Sequence, residues 1–354
     1  MSQAGHGGGV DQAAQDLGLP REQILDFSAS INPLGLPESV RQTIIGNLDR
    51  IIDYPEIDAQ SLRRTLSRQQ NLPEENLFPG SGSTELIYLL PRVLQPRRAL
   101  IIEPAFSEYA PALRQSGCHI DILSLQAENN FHFDPQQVLA ALHPGTELVL
   151  LANPGNPTGV IIDPLQLREL TDALGTCRLL IDEAFIDFSP ENSLLNAVTE
   201  YENLFVLRSL TKFYAIPGLR VGYLAGPSAE LAQLVAEKQP WTLSSLAIAA
   251  ARACLEDSDY QQRSLNEIPR LREQLASGLE QLSVKVFPSV ANYLLLRTPQ
   301  DWPTAEVLCT LLQEQGILLR NCANFPSLDN RYLRLAVRSE AENQQLLDAL
   351  RDVV

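Results

Sequence analysis

The sequence predicts an α/β protein: a large domain with a mostly parallel sheet between helices, plus a smaller α+β domain. Three observations carry this. Between Ser61 and Ala225, apolar runs of strand length alternate with stretches of helical period, the signature of a mostly parallel sheet. The suggestive polar residues of that region, Asn156, Asp182, Ser209 and Lys212, fall just past those runs, where ligands gather in such sheets. At 354 residues the chain exceeds the usual size of one core, so a second unit is expected.

Residues 1–10, MSQAGHGGGV, read as a glycine-rich tail, with less weight on a backbone folded close over a ligand that His6 would reach. A helical pattern at 11–17 leads into DFSASINPLGLP, 26–37, whose Asn-Pro, Leu-Gly and Leu-Pro steps make an ordered loop. A helix with apolar Val40, Ile44, Ile45 and Leu48 follows, then Asp53, Tyr54 and Pro55. Strands are expected at 99–102, 119–123, 148–152, 178–181, 204–208 and 221–225. Beyond Gly226 the pattern turns helical at 228–238, 243–255 and 260–282. The tail alternates strands at 284–287, 293–297, 317–319 and 332–337 with helices at 305–315 and 340–351. The expected division is an N-terminal segment, 1–48, packing with the small domain, a large domain, 49–240, and a small C-terminal domain, 241–354.

A formal charge of −16 argues against nucleic acid or an anionic membrane as the main partner, since both call for a basic face. No run approaches the roughly 18 apolar residues of a membrane span, and no secretory start is seen, so a soluble cytoplasmic protein is expected. The cysteines, Cys118, Cys177, Cys254, Cys309 and Cys322, are scattered without C-x-x-C spacing. Free thiols are expected rather than disulfides or a metal site.

The stretch FVLRSLTKFYAIPGLRVGYL, 205–224, concentrates the chemistry. Lys212 stands between two apolar runs with small, hydroxyl and aromatic neighbours, a setting that lowers a lysine's pKa and makes it a candidate Schiff-base nucleophile. Arg220 can neutralise a phosphate, and Ser209 can bond to it as well. Lysine, serine and arginine on one strand-turn-strand unit suggest pyridoxal 5'-phosphate. In PGSGSTEL, 79–86, Gly82, Ser83 and Thr84 open a helix whose first amides could cradle a phosphate, although Ser or Thr there is ordinarily a cap. The motif is neither a nucleotide P-loop nor G-x-G-x-x-G. Phe106 follows the first strand, where a cofactor ring could stack; in isolation, ordinary core is the better account. ANPGNPTG, 152–159, is a costly, rigid way merely to leave a strand, and Asn156 can donate to the phenolate oxygen of a pyridoxal ring. Asp182 ends an apolar run, and a pyridinium nitrogen is a partner that such a buried carboxylate needs.

Together Asn156, Asp182, Ser209-x-x-Lys212 and Arg220 resemble the fold-type I pyridoxal-phosphate enzymes of the aspartate aminotransferase superfamily, over essentially the whole chain. The resemblance implies a seven-stranded-type sheet and a homodimer with its active site at the subunit interface. It implies that Lys212 bonds the cofactor, that Asp182 keeps the pyridine nitrogen protonated and that Asn156 bonds the ring oxygen. Phe106 would stack on the ring, Ser83, Thr84, Ser209 and Arg220 would bind the phosphate, and Tyr54 would reach that phosphate from the neighbouring subunit.

HGG near the start, DFSASINPLG, DEAFIDF, SLTKFYAIPGLR, ANYLLLR and RNCANFPSLDNRYLRLAVR are more similar to the threonine-phosphate decarboxylase branch than to the histidinol-phosphate aminotransferases. This implies decarboxylation of O-phospho-L-threonine to 1-amino-2-propanol phosphate in cobalamin synthesis, with transamination of histidinol phosphate as the alternative. By the same similarity His6, the loop carrying Ser30 and Asn32, and Arg320 would hold a small phosphorylated amino-acid substrate, with Arg334 on its carboxylate and Asn156 beside it. Two departures stand out. Ser30 replaces an asparagine expected in the decarboxylases, and Phe185 replaces the tyrosine that aminotransferases place three residues after the aspartate, removing one bond to the ring oxygen. Arg320 and Arg334 sit in apolar strands, which favours function over the usual surface fate of arginine.

Overall fold

The apolar runs form the centre of the molecule because both of their faces are covered. The computed structural model describes residues 7–354; His6, expected at the substrate, lies outside the described residues. Its strands are β1 (Leu25–Asp26), β2 (Leu77–Gly80), β3 (Arg98–Glu103), β4 (His119–Ser124), β5 (Leu148–Ala152), β6 (Arg178–Asp182) and β7 (Leu204–Ser209). They continue with β8 (Gly222–Ala225), β9 (Lys285–Val286), β10 (Tyr293–Arg297), β11 (Ile317–Leu318), β12 (Arg320–Asn321) and β13 (Tyr332–Ala336). In β3, β5, β6 and β7 successive residues alternate between two cores. Leu100, Val149, Leu179, Ile181 and Val206 join one, while Ile101, Leu148, Leu150, Leu180 and Leu207 join the other. A strand buried on both faces therefore reads as a continuous apolar run rather than an alternating one.

Seven strands form the large sheet in the order β2-β8-β7-β6-β5-β3-β4. The centre is parallel, whereas β8 runs antiparallel to both β7 and β2. Strand β2 was not expected, because Leu77-Phe-Pro-Gly80 carries two turn residues. Its place at the sheet edge explains why Pro79 is tolerated there. The tail builds an antiparallel sheet, β12-β13-β10-β9, and β11 leaves it to pair in parallel with β1. Leu25–Asp26 thus ties the N-terminal segment to the small sheet's side of the molecule.

Helix Ser245–Glu256 buries Ala247, Ala250, Ala251 and Cys254 in the core that also covers the large sheet, although the expected boundary at 240/241 would assign it to the small domain. The 23-residue helix Ser258–Glu280 bridges the two bodies: Tyr260 and Ile268 belong to the large core, Leu275 and Leu279 to the small one. Its Pro269 lies at the change of partner. All five cysteines are free, and no helix among the described residues is long and apolar enough to cross a membrane.

Candidate active site

A cavity of about 500 Å³ opens at the carboxyl ends of β5, β6 and β7. Its wall brings together Ser83, Thr84, Phe106, Asn156, Asp182, Lys212 and Arg220 from the large body, Arg334 from β13, and Ser30 from the N-terminal loop. Eight separate places in the sequence thus converge on one space large enough for a small cofactor and a substrate.

Lys212 lies on the single helical turn Leu210–Phe213 between β7 and β8, not on a bare turn between strands. Its Nζ donates to Thr211 Oγ1 at 2.9 Å and stands 5.9 Å from the centre of the Phe185 ring. Burial, and then the charge of Arg220, pull its pKa down to about 8, against the opposing pull of Asp182. A substantial fraction of the amine is therefore neutral near pH 8, as a nucleophile requires.

Asp182 closes β6 and is buried. Its Oδ2 accepts from the Tyr109 hydroxyl at 2.7 Å and its Oδ1 from the Ala184 amide at 2.9 Å. Burial pushes this carboxyl up, while those two hydrogen bonds and Lys212 work against the rise. Asn156 leaves β5 on the Asn-Pro loop, and its Oδ1 accepts from Arg334 Nη1 at 2.7 Å. With the oxygen engaged, the Asn156 amide nitrogen is the group left to donate.

The helix Gly82–Leu94 points its first turn at the cavity. Capping by its Ser or Thr is not what the structure has: no side chain caps the helix, and the Ser81 amide is met instead by Glu85. The Arg220 guanidinium closes over this helix start. Gly82 has φ +77°, and a Cβ there would stand 2.5 Å from Arg220 Nη2. A helix start free of side-chain caps beneath a guanidinium is a cradle for a phosphate.

Several expected residues lie elsewhere. Asn32 is buried away from the cavity wall, with both amide hydrogens spent on Phe213 O and Ser264 Oγ at 2.8 Å each. It ties the N-terminal loop to the Lys212 turn and has no donor left for a substrate. Ser209 sits behind the wall, its hydroxyl 2.7 Å from Thr211 Oγ1. Arg320 is opposite Arg334 in the β12–β13 register, with Nη2 donating to Asn324 Oδ1 at 2.8 Å. Tyr54 is 84% exposed and packs on Trp241, outside the cavity. By contrast Ser30 and Arg334 line the cavity, and the Ser30 hydroxyl and Arg334 Nε are buried polar atoms with no hydrogen-bond partner among the described residues.

The sequence reading missed Tyr109 and Thr211, and Glu108, which also lines the cavity. The only signal for Tyr109 was an aromatic residue three positions after Phe106. Gly7 also borders the cavity; a Cβ there would fall 2.1 Å from Ser28 O, which explains the glycine beside the N-terminal loop.

The Aminotransferase class I and II family model matches residues 22–350. The chain belongs to this family. Among its relatives, the threonine-phosphate decarboxylase of Salmonella typhimurium is 42% identical, over 99% of this chain and 96% of that protein. The adenosylcobalamin biosynthesis bifunctional protein CobDQ of Leptospira interrogans is 32% identical over 98% of this chain, which spans 41% of that larger protein. A solved structure of the histidinol-phosphate aminotransferase from Clostridium acetobutylicum superposes with a TM-score of 0.87 at 29% identity, covering 93% of this chain and 99% of that one. The class I and II membership agrees with the donor set: an uncapped helix start under Arg220, a carboxylate at the strand end and a lysine of lowered pKa fit pyridoxal 5'-phosphate.

Proposed function

We propose that this chain is a pyridoxal-phosphate-dependent lyase that decarboxylates O-phospho-L-threonine to 1-amino-2-propanol phosphate and carbon dioxide, in adenosylcobalamin biosynthesis. The observation that carries the choice of reaction is the 42% identity, over 99% of the chain, to the Salmonella threonine-phosphate decarboxylase. The cofactor, when bound, supplies an electron sink for the pair released at the substrate α-carbon. The protein's own part is to orient and to move protons. Ser83, Thr84 and Arg220 would hold the cofactor phosphate, with Ser209 behind the wall bonded to Thr211, while Phe106 would flank the ring, Asn156 Nδ2 would donate to its oxygen and Asp182 would face its nitrogen. Lys212 Nζ would return a proton to the α-carbon once carbon dioxide has left.

Arg334 takes the substrate carboxylate, supported by its place on the cavity wall and by its alignment on Asn156 and Ser28 O. Ser30, whose buried hydroxyl has no hydrogen-bond partner among the described residues, and Arg320, one strand over, are the candidates for the substrate phosphate, with His6 as the third. Phe185 borders the cavity without a hydroxyl, so the ring oxygen has one fewer donor than in an aminotransferase with tyrosine there.

A cytoplasmic homodimer is part of the proposal. Ile51, Ile52, Tyr54 and Ile57 are exposed apolar residues of one short segment, Ile52 86% and Tyr54 84%, and Tyr54 packs on the exposed Trp241; a second copy would cover them. From there Tyr54 would reach the partner's cofactor phosphate.

The second reading, transamination of histidinol phosphate, is favoured by the 0.87 superposition on the Clostridium aminotransferase. A paired assay separates them. With O-phospho-L-threonine, carbon dioxide release is expected; with histidinol phosphate and 2-oxoglutarate, glutamate formation is not. Glutamate without gas release would overturn the proposal.

A further inference from the structure

Tyr109 has no part in the chemistry described so far. It opens the helix Tyr109–Gln115, is 1% exposed, and is packed into the core on one face of the large sheet. Its side chain makes two directed contacts. The hydroxyl donates to Asp182 Oδ2 at 2.7 Å, and the ring meets Phe106 edge-on, with centroids 5.8 Å apart and planes at 82°. One buried phenol therefore braces both the carboxylate at the end of β6 and the aromatic ring beside the cavity.

The geometry at Asp182 is closed on its protein side. Oδ2 is taken by Tyr109 and Oδ1 by the Ala184 amide, and together these two donors fix the plane of the carboxylate. Each oxygen has a further lone pair, and the carboxylate borders the cavity. Two titratable groups also face this pair: Lys212 on the Asp182 side and Tyr293, from β10, on the Tyr109 side. A phenylalanine would fill the same volume and keep the edge-on contact with Phe106. What it would remove is a single hydrogen bond to a carboxylate in a site of low dielectric, where such bonds are strongest.

We propose that Tyr109 is a positioning residue for Asp182, its hydroxyl fixing the carboxylate plane toward the ring nitrogen of the bound cofactor. The inference rests on the assignment of Asp182 to that nitrogen. Tyr109 does not line the cavity, and its hydroxyl bonds only Asp182 among the described residues, so the effect of removing that hydroxyl passes through Asp182. It must therefore vanish when the ring has no nitrogen.

The test is a titration of apoprotein with pyridoxal 5'-phosphate and with its 1-deaza analogue, in which a C–H replaces the ring nitrogen. Wild-type protein should bind the natural cofactor more tightly. Tyr109→Phe should lose roughly tenfold or more of that affinity, the worth of one hydrogen bond to a charged group, while its affinity for the analogue changes less than about twofold. In an Asp182→Asn background Tyr109→Phe should add no further loss, which distinguishes positioning from a general loosening of the fold. Equal losses for both cofactors, or none for either, would overturn the inference. Wild-type protein that fails to discriminate between the two would overturn the Asp182 assignment, and this inference with it. Discrimination kept in full by Tyr109→Phe would overturn the inference alone.

Discussion

Arg334 Nη1 donates to Asn156 Oδ1 at 2.7 Å, joining β13 of the small sheet to the loop that leaves β5 of the large one. A second bond, from Nη2 to Ser28 O at 3.1 Å, adds the N-terminal loop to the same guanidinium. Three parts of the chain are thus held by one planar fork, and lysine cannot reproduce two directed bonds at fixed angles. Arg334→Lys should lower kcat/KM for the phosphorylated amino acid roughly 100-fold, in the range for breaking a buried charged contact. Cofactor affinity should fall far less. Comparable losses in initial-rate and apoprotein titration experiments would make Arg334 part of the cofactor's own site.

Gly82 and Arg220 form a second dependent pair. Gly82→Ala puts a side chain into the left-handed region, at a cost of about 1–2 kcal/mol, and drives its Cβ into the guanidinium. Arg220 must then leave the helix start. The expected result is a modest drop in apoprotein melting temperature with a much larger loss of pyridoxal 5'-phosphate affinity. If affinity and melting temperature fall in proportion, the glycine serves the backbone alone.

The lowered pKa of Lys212 gives a pH signature. The neutral amine is the nucleophile, so cofactor association should accelerate as pH rises through about 8 and level off above it. From pH 7 to pH 9 the neutral fraction climbs roughly tenfold for a group titrating there. Stopped-flow mixing of apoprotein with cofactor would measure this. A rise centred near the ordinary lysine value of 10.5 would mean that burial and Arg220 do not act on the amine as described.

The parts legible in the sequence are those whose physics is local. The central strands showed themselves because burial on two faces demands uninterrupted apolar residues, and Lys212, Asp182 and Asn156 because they follow those strands directly. Contacts across sequence were not legible. Asn32 was expected at the substrate, but its amide is consumed by Phe213 O and Ser264 Oγ, the latter 232 positions away. Tyr109 drew no notice because it is core, with its hydroxyl bonded to a residue 73 positions away. Strands β1 and β12, of two residues each, carry no period that could be read.

A buried ionic cluster was equally invisible. Arg208, on the face of β7 away from Asp182, pairs with Glu183 at 3.3 Å and with Asp187, and Ser193 and the Leu194 amide complete the Glu183 carboxylate. It clasps the ends of β6 and β7, the strands that deliver Asp182 and Lys212. Arg208→Met leaves two acidic groups unpaired and should cost about 3–5 kcal/mol in denaturant unfolding. Arg220→Met, on the exposed cavity rim, should change apoprotein stability by less than about 1 kcal/mol. Equal costs would remove any special weight from the cluster.

The exposed Tyr54 allows the proposed dimer to be tested by complementation. In a mixed dimer of Lys212→Ala and Tyr54→Ala chains, a tyrosine acting across the interface leaves one site with both lesions and the other with neither. A tyrosine acting within its own chain leaves one lesion in each site. Random exchange makes about half of the dimers mixed, so about a quarter of all sites should regain wild-type turnover. Activity of the re-equilibrated mixture should then exceed the mean of the two parents, and the same mixture should sediment as a dimer. Activity equal to that mean would confine Tyr54 to its own subunit, and a monomeric sedimentation coefficient would remove the partner altogether.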